Sequence, residues 1–257
     1  PFFSDIQGFS TISEGLTPEE LVQLLNEYLT AMCDIISSHH GTIDKFEGDA
    51  IIAFWGAPLD LPNHATVACY ATIEMQKRSV ELRKMLREQN RPLLYTRMGL
   101  NSGPVVVGNM GSAERMDYTM MGDVVNLAAR LEGANKFYKT YSMISGSTYE
   151  LVKDDVDSRQ LDIIRVVGKN EPVPVHELLA RKNETSSEMS GVVEQYLKGL
   201  KLYQDRNFAD AVKEFEKVLT IDPDDGPSQT YVKRCAMFIE TPPEKDWDGV
   251  FTFTEKG

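Results

Sequence analysis

The chain has 257 residues and a formal net charge of −12, with 42% hydrophobic and 26% charged residues. This length accommodates one large domain and a small one, and the composition is ordinary for a globular protein. The acidic balance argues against binding to a nucleic-acid backbone, and no apolar run approaches the length of a membrane span.

The cysteines and the start of the chain bear on its location. Cys33, Cys69 and Cys235 are unclustered and odd in number, which predicts reduced thiols in a reducing compartment such as the cytoplasm. The chain begins at Pro1 with an apolar strand and no signal peptide. We therefore expect a piece of a longer protein, whose upstream part could carry a membrane anchor or a sensor.

The first strand ends on a carboxylate. Phe2 to Ser4 are followed by Asp5, and Gly8 then marks a turn. Carboxylates at strand ends beside flexible backbone are common metal ligands, and free N–H groups around Gly8 and Phe9 can cradle a phosphate. Taken alone, Asp5 is better explained as a turn residue that caps the next segment.

A core helix and a hairpin follow. Residues 17–20 form a capping box with proline at the first helical position, and apolar residues then recur at helical spacing. Strands over 43–46 and 50–55 flank a glycine turn that contains Asp49. One helix separates this hairpin from the first strand, so Asp5 and Asp49 can share one edge of a sheet. Two such carboxylates bind Mg²⁺ readily, whereas either alone predicts little.

The middle of the chain continues this alternation. Asn63 is predicted to cap a long helix over 65–89. A strand over 93–101 is followed by a turn and by a returning strand over 105–107. Glycines over 108–112 predict a flexible loop.

The stretch over 115–132 predicts a strand, a tight turn at Gly122, and a helix whose N-cap is Asp123. Asn126 and Arg130 are four residues apart, so they lie on one helix face. An amide beside a guanidinium suits a sugar–phosphate ligand, since Asn holds a hydroxyl or ring oxygen and Arg neutralises a phosphoryl group. From spacing alone, a solvated Asn and a surface Arg explain the pair slightly better.

The remaining sequence predicts more sheet and then helices. Strands are expected near 143–144, over 160–167 and over 173–178, with a short helix over 148–154. Neither a phosphate-binding P-loop nor a dinucleotide glycine motif is present.

The C-terminal part has a different pattern. Residues 181–190 are polar and predict a linker, and 191–240 resemble one tetratricopeptide repeat with a further helix over 228–239. A single repeat cannot bury its own apolar face, so we expect it to dock on the main domain or on a protein partner. The last segment, 241–257, is expected to lie extended over a surface.

Four motifs occur together in order. They are Phe-Ser-Asp-Ile-x-Gly-Phe-Ser over 3–10, Lys-Phe-x-Gly-Asp over 45–49, the glycine-rich segment over 103–111, and Asp-Tyr-Thr-x-x-Gly-Asp-x-Val-Asn-x-Ala-x-Arg-Leu-Glu over 117–132. Their combination over residues 2–178 resembles the class III nucleotide cyclases, which convert ATP or GTP to the 3′,5′-cyclic monophosphate. The resemblance implies an α+β fold over 1–180: a ferredoxin-like, palm-type domain with a mostly antiparallel central sheet flanked by helices. The small all-α segment would follow it.

The resemblance also implies roles for the residues that match. Asp5 and Asp49, with the Ile6 carbonyl, would hold two Mg²⁺ or Mn²⁺ ions. Asn126 would orient the ribose, and Arg130 would stabilise charge that develops at the α-phosphate.

Base selection is implied by two further positions. Lys45 and Thr119 match a subgroup of adenylate cyclases, and a Lys donor beside a Thr hydroxyl suits the adenine edge. ATP is therefore the expected substrate, and a guanylate cyclase is the alternative. The family also has a triphosphate lysine near its last strands. Here that run is Val166-Val167-Gly168-Lys169, so Lys169 is either a substitute for it or a solvated turn residue.

Enzymes of this family form their sites between two catalytic domains arranged head to tail. One chain carries both residue sets once, which implies a homodimer with two sites. A rival hypothesis is a catalytically silent, cyclase-like module for dimerisation, nucleotide sensing or interaction. The presence of Asp5, Asp49, Asn126 and Arg130 argues against it.

Overall fold

The computed structural model describes residues 1–165 and 171–252, in which strands and helices alternate. The strands are β1 (Phe2–Ile6), β2 (Thr42–Glu47), β3 (Ala50–Phe54), β4 (Thr96–Leu100), β5 (Val106–Gly111), β6 (Met116–Met121), β7 (Ser142–Ser145), β8 (Val156–Arg165), β9 (Val173–Arg181) and β10 (Phe251–Thr252). The helices are α1 (Phe9–Glu14), α2 (Pro18–Ser38), α3 (His64–Glu88), α4 (Asp123–Tyr138), α5 (Gly146–Val152), α6 (Ser187–Gln204), α7 (Phe208–Ile221) and α8 (Gly226–Glu240).

The central sheet has eight strands in the order β10-β8-β9-β7-β4-β1-β3-β2. Strand β1 lies between β3 and β4 and is antiparallel to both, whereas the β4–β7 and β10–β8 pairs are parallel. The α+β architecture with a mostly antiparallel sheet and flanking helices is therefore confirmed. Strand β1 pairs with β3 as far as Ser4 and with β4 through Asp5 and Ile6, and this positions Asp5.

Strands β5 and β6 form a separate two-stranded ribbon, from Val106 opposite Met121 to Gly111 opposite Met116. The prediction that 105–107 return along strand 93–101 is therefore wrong, and most of the predicted 108–112 loop continues β5. Val106 is 68% exposed, so the apolar residues of this segment did not indicate a buried strand of the main sheet. Pairing with β6 decided the position of this segment.

The helix N-termini follow the predicted caps in part. At α2, Thr17 and Glu20 make the reciprocal bonds of a capping box. Asn63 stands at the N-cap of α3 but makes no side-chain capping bond. The prediction for Asp123 is wrong, because Gly122 is the N-cap of α4. Gly122 has φ +148, a backbone conformation that residues with a side chain rarely adopt. Asp123 follows in the first turn of α4, where its carboxylate interacts favourably with the positive end of the helix dipole.

Two large groups of buried side chains hold the domain together. One lies between the sheet and helices α2 and α3. The other joins α4 and strands β7–β9 to helices α6–α8, with Trp247 and Phe251 of the terminal segment packed against it. The C-terminal helices thus dock on the main sheet. Their connection from β9 is shorter than the predicted 181–190 linker, because β9 ends at Arg181 and α6 begins at Ser187.

Buried ion pairs fasten these helices to the sheet. Arg159 of β8 donates to Asp225 before α8 at 2.7 Å, and Arg234 of α8 donates to Asp162 of β8 at 2.6 Å. Both arginine side chains are almost fully buried. In the described parts of the chain, no helix is long and apolar enough to cross a bilayer.

Candidate active site

Two acids converge at the end of β1. Asp5 is on β1, and Asp49 lies in the turn that leads into β3, the neighbouring strand. The Ile6 N–H donates to Asp49 Oδ2 at 2.9 Å, a contact between residues 43 apart in the chain. This bond fixes one carboxylate beside the other. In this contact Ile6 takes part through its N–H group. That its carbonyl oxygen binds a metal ion stays a prediction.

The two acids create a site that a cation would stabilise. Burial and the charge of Asp49 raise the pKa of Asp5, and Arg97 opposes this effect. Within residues 1–165 and 171–252, no group of three or more His, Cys, Asp or Glu side chains could hold a metal. The pair of carboxylates still fits Mg²⁺ or Mn²⁺, because Mg²⁺ commonly binds one or two carboxylates and completes its shell with water and substrate phosphates.

Arg97 is a site residue that the sequence analysis missed. It lies opposite Asp5 on β4, and its guanidinium is 3.8 Å from that carboxylate. Its Nε also donates to Glu132 of α4 at 3.0 Å. Burial raises the pKa of Glu132 to about 7, although Arg97 lowers it. The available signal was a charged residue inside an otherwise apolar strand.

Lys45 and Thr119 meet although 74 residues separate them. Lys45 Nζ on β2 donates to Thr119 Oγ1 on β6 at 3.4 Å. The Thr119 hydroxyl donates in turn to Asp44 Oδ2 at 2.6 Å. Asp44 was not singled out from the sequence. The structure therefore joins the two predicted base-reading residues and adds a carboxylate behind them.

Helix α4 carries Asn126 and Arg130 one turn apart. Asn126 is exposed and Arg130 is partly buried. Arg130 Nη1 is buried and has no hydrogen-bond partner among the described residues. A buried donor without a partner is costly, so this guanidinium is suited to receive an anionic ligand.

The remaining predicted positions lie at the start of α1 and near the last strands. Gly8 has φ +69 and is the N-cap of α1, so the first N–H groups of this short helix, beginning at Phe9, lack intrahelical acceptors. They follow the Asp5 strand directly. Lys169 lies outside the described residues.

A family model described as "Adenylate and Guanylate cyclase catalytic domain" matches residues 2–179. The chain belongs to this family. Among curated relatives, the cyclase domain resembles "Adenylate cyclase 1" of Rhizobium meliloti, with 39% identity over 177 residues. It also resembles "Adenylate cyclase, terminal-differentiation specific" of Dictyostelium discoideum, with 32% identity over 244 residues.

These alignments differ in how much of each protein they include. The first covers 69% of this chain and 27% of the relative, and the second covers 93% and 11%. The chain thus spans about a quarter and about a tenth of their lengths. The second alignment extends over the C-terminal helices as well as the cyclase domain.

Solved structures show the same fold. The adenylyl cyclase CyaB from P. aeruginosa matches with TM-score 0.66 and 40% identity, over 72% of this chain and 95% of that chain. The guanylyl cyclase Cya2 matches with TM-score 0.64 and 35% identity, over 72% and 93%. Similarity to cyclases of both base specificities leaves nucleotide choice to the side chains at the site.

Proposed function

We propose that this chain is an adenylate cyclase that converts ATP to 3′,5′-cyclic AMP and pyrophosphate. The observation that carries the proposal is the convergence of Asp5 and Asp49 at one end of β1 in a cyclase fold. ATP is favoured over GTP by the Lys45–Thr119 contact and by the adenylate cyclases among the relatives.

Metal and phosphate groups would be held at the β1 end. Asp5, Asp49 and the Ile6 backbone would hold two Mg²⁺ or Mn²⁺ ions. When bound, these ions lower the pKa of the attacking hydroxyl and balance the triphosphate charge. The N–H groups at Gly8 and Phe9 and the Arg97 guanidinium would donate hydrogen bonds to phosphate oxygens.

The reaction needs positioning rather than an acid–base side-chain pair. Asn126 would hold the ribose so that its 3′-oxygen faces the α-phosphorus opposite the leaving pyrophosphate. A bond forms from the 3′-oxygen to phosphorus as the bond to pyrophosphate breaks, and the proton of the 3′-hydroxyl passes to solvent. Arg130, with an unpartnered buried nitrogen, would neutralise charge that develops at the α-phosphate.

The working unit would be a homodimer with two sites. Asp5 and Asp49 would come from one protomer, with Lys45, Thr119, Asn126 and Arg130 from its twin. Support comes from the β5–β6 ribbon, which exposes large apolar side chains, and from neighbouring Phe46. The exposed large apolar side chains of the ribbon are Val106 and Met121, which lie opposite each other and share a face, and Met116, which is on the other face. Exposed apolar side chains of this kind suit contact with a second copy.

We propose that residues 1–180 form the catalytic domain and that residues 191–240 form a tetratricopeptide-like segment docked on it, followed by the 241–257 tail. Helices α6 and α7 would form one tetratricopeptide-like repeat. Close packing supports this, because a Cβ at Gly199 would lie 2.8 Å from the Phe215 ring. Since one face packs on the sheet, the opposite face would be free for a protein partner.

The test is formation of cyclic AMP from Mn²⁺-ATP by the purified chain, compared with Asp49→Asn and Asp49→Ala. Asn keeps an oxygen for the Ile6 N–H but loses the charge that holds metal, so both variants should lose activity. Activity equal to wild type in Asp49→Asn would contradict the metal role. Cyclic GMP without cyclic AMP would favour a guanylate cyclase. Neither product from a folded dimer that binds nucleotide would favour the silent module.

A further inference from the structure

A β-bulge in β2 places Asp44 beside the base-reading pair. Ile43 lies opposite Ala53 and Lys45 lies opposite Ile52, so Asp44 is an extra residue in the ladder. In a regular strand, consecutive side chains point to opposite faces, whereas a bulge re-aims them. Asp44 and Lys45 therefore both reach Thr119 on β6.

Two hydrogen bonds and one ion pair join the three side chains. The Thr119 hydroxyl donates to Asp44 Oδ2 at 2.6 Å and accepts from Lys45 Nζ at 3.4 Å. Lys45 Nζ is also 3.3 Å from Asp44 Oδ1, and the Asp44 side chain is 2% exposed. A hydroxyl has one donor and two acceptor sites, and an ammonium has three donors. The contact with Asp44 Oδ1 is an ion pair and not a hydrogen bond, so one acceptor on Thr119 and two donors on Lys45 remain for a ligand.

We propose that Asp44 is a positioning residue that sets nucleotide specificity, an inference that rests on the proposed adenylate cyclase function. Because Asp44 accepts the hydrogen bond that the Thr119 hydroxyl donates, only an acceptor site of that hydroxyl is left to face the base. Adenine offers an acceptor at N1 and a donor at its amine, so it matches the remaining groups of Lys45 and Thr119. Guanine offers a donor at N1 and an acceptor at O6, so it opposes both.

The buried carboxylate is suited to this role because it cannot donate a hydrogen bond when ionised. An isosteric amide could donate to Thr119 Oγ1 instead. The hydroxyl proton would then be free to turn toward guanine O6. Asp44→Asn therefore tests the orientation of one proton while it leaves the size of the side chain nearly unchanged.

The experiment gives the wild-type chain and Asp44→Asn a mixture of Mn²⁺-ATP and Mn²⁺-GTP and measures both cyclic products. We expect the ATP/GTP ratio of kcat/KM to fall about tenfold or more in the variant, since mismatched buried polar groups discriminate at this level. In a mixture, this ratio does not depend on the amount of folded enzyme, so partial misfolding leaves the test valid.

Two further variants separate positioning from general effects. Asp117→Asn removes the same charge from exposed β6 surface near Arg115 and should leave the ratio unchanged. In a Thr119→Val background, Asp44→Asn should produce no additional change, because the hydroxyl that it orients is gone. A ratio unchanged in Asp44→Asn, or an equal change with and without the hydroxyl, would overturn the inference. A wild-type chain that makes neither product would instead refute the proposed function.

Discussion

Gly99 on β4 allows helix α4 to lie close to the sheet, and Gly99→Ala should disturb both stability and catalysis. A Cβ at this position would be 2.3 Å from Glu132 N, 2.4 Å from Ala128 O and 2.9 Å from Glu132 Cα. All three atoms are backbone, so no side-chain rotation relieves the overlap. To reach ordinary contact, the helix must move by about 1 Å, and overpacking of this kind costs about 1–3 kcal/mol of unfolding free energy.

The same displacement would reach Asn126 and Arg130, which flank Ala128 on α4. Misplacement of positioning groups by about 1 Å costs on the order of a hundredfold in rate. Urea unfolding would measure the stability change, and cyclic AMP formation from Mn²⁺-ATP would measure kcat. Gly191→Ala on α6 is the matched control, because its Cβ would meet nothing within 4 Å. Wild-type stability and kcat in Gly99→Ala would refute the close-packing argument.

Three further predictions concern charge. Glu132→Gln should remove a destabilisation that wild type acquires between pH 4.5 and about 7, because there the folded chain retains a proton that the unfolded chain has released. As the pH rises from 5 to 8, the unfolding free energy of the variant should therefore increase relative to that of wild type, by at most about 3 kcal/mol. Urea unfolding at the two pH values measures this difference. Arg234→Met should cost about 3–5 kcal/mol in the same assay, because Asp162 stays buried without its cation. EDTA should abolish cyclic AMP formation, and added Mg²⁺ should restore it.

A specific result would contradict each of these predictions. A stability difference between Glu132→Gln and wild type that stays constant with pH would show that Glu132 does not titrate there. For the Arg234 pair, Asp162→Leu together with Arg234→Met should recover part of the loss, because two apolar groups leave no buried charge. Equal losses in the single and double variants would contradict the charge argument. Turnover that persists in EDTA would contradict the metal requirement.

Local features were predictable because their causes lie within a few residues. The capping box at Thr17 and Glu20, the β2–β3 hairpin and the amphipathic helices follow from spacing and turn chemistry. The meeting of Asp5 and Asp49 also followed, since a helical connection leads from β1 directly to the β2–β3 hairpin. The motif order then indicated the family, which the family match over residues 2–179 confirmed.

By itself, the sequence indicated every helix except α1, most strands and the residues predicted to bind metal, ribose and base. The tertiary structure alone decided that β5 pairs with β6, that a bulge brings Asp44 to Thr119, and that Arg97 faces Asp5. The Asp44 and Arg97 contacts depend on strand register between segments distant in the chain, whereas β5 and β6 are consecutive strands whose apolar residues did not distinguish a separate ribbon from the main sheet. A shift of register by one residue moves a side chain to the opposite face, and no local pattern in the chain records which register packing will stabilise.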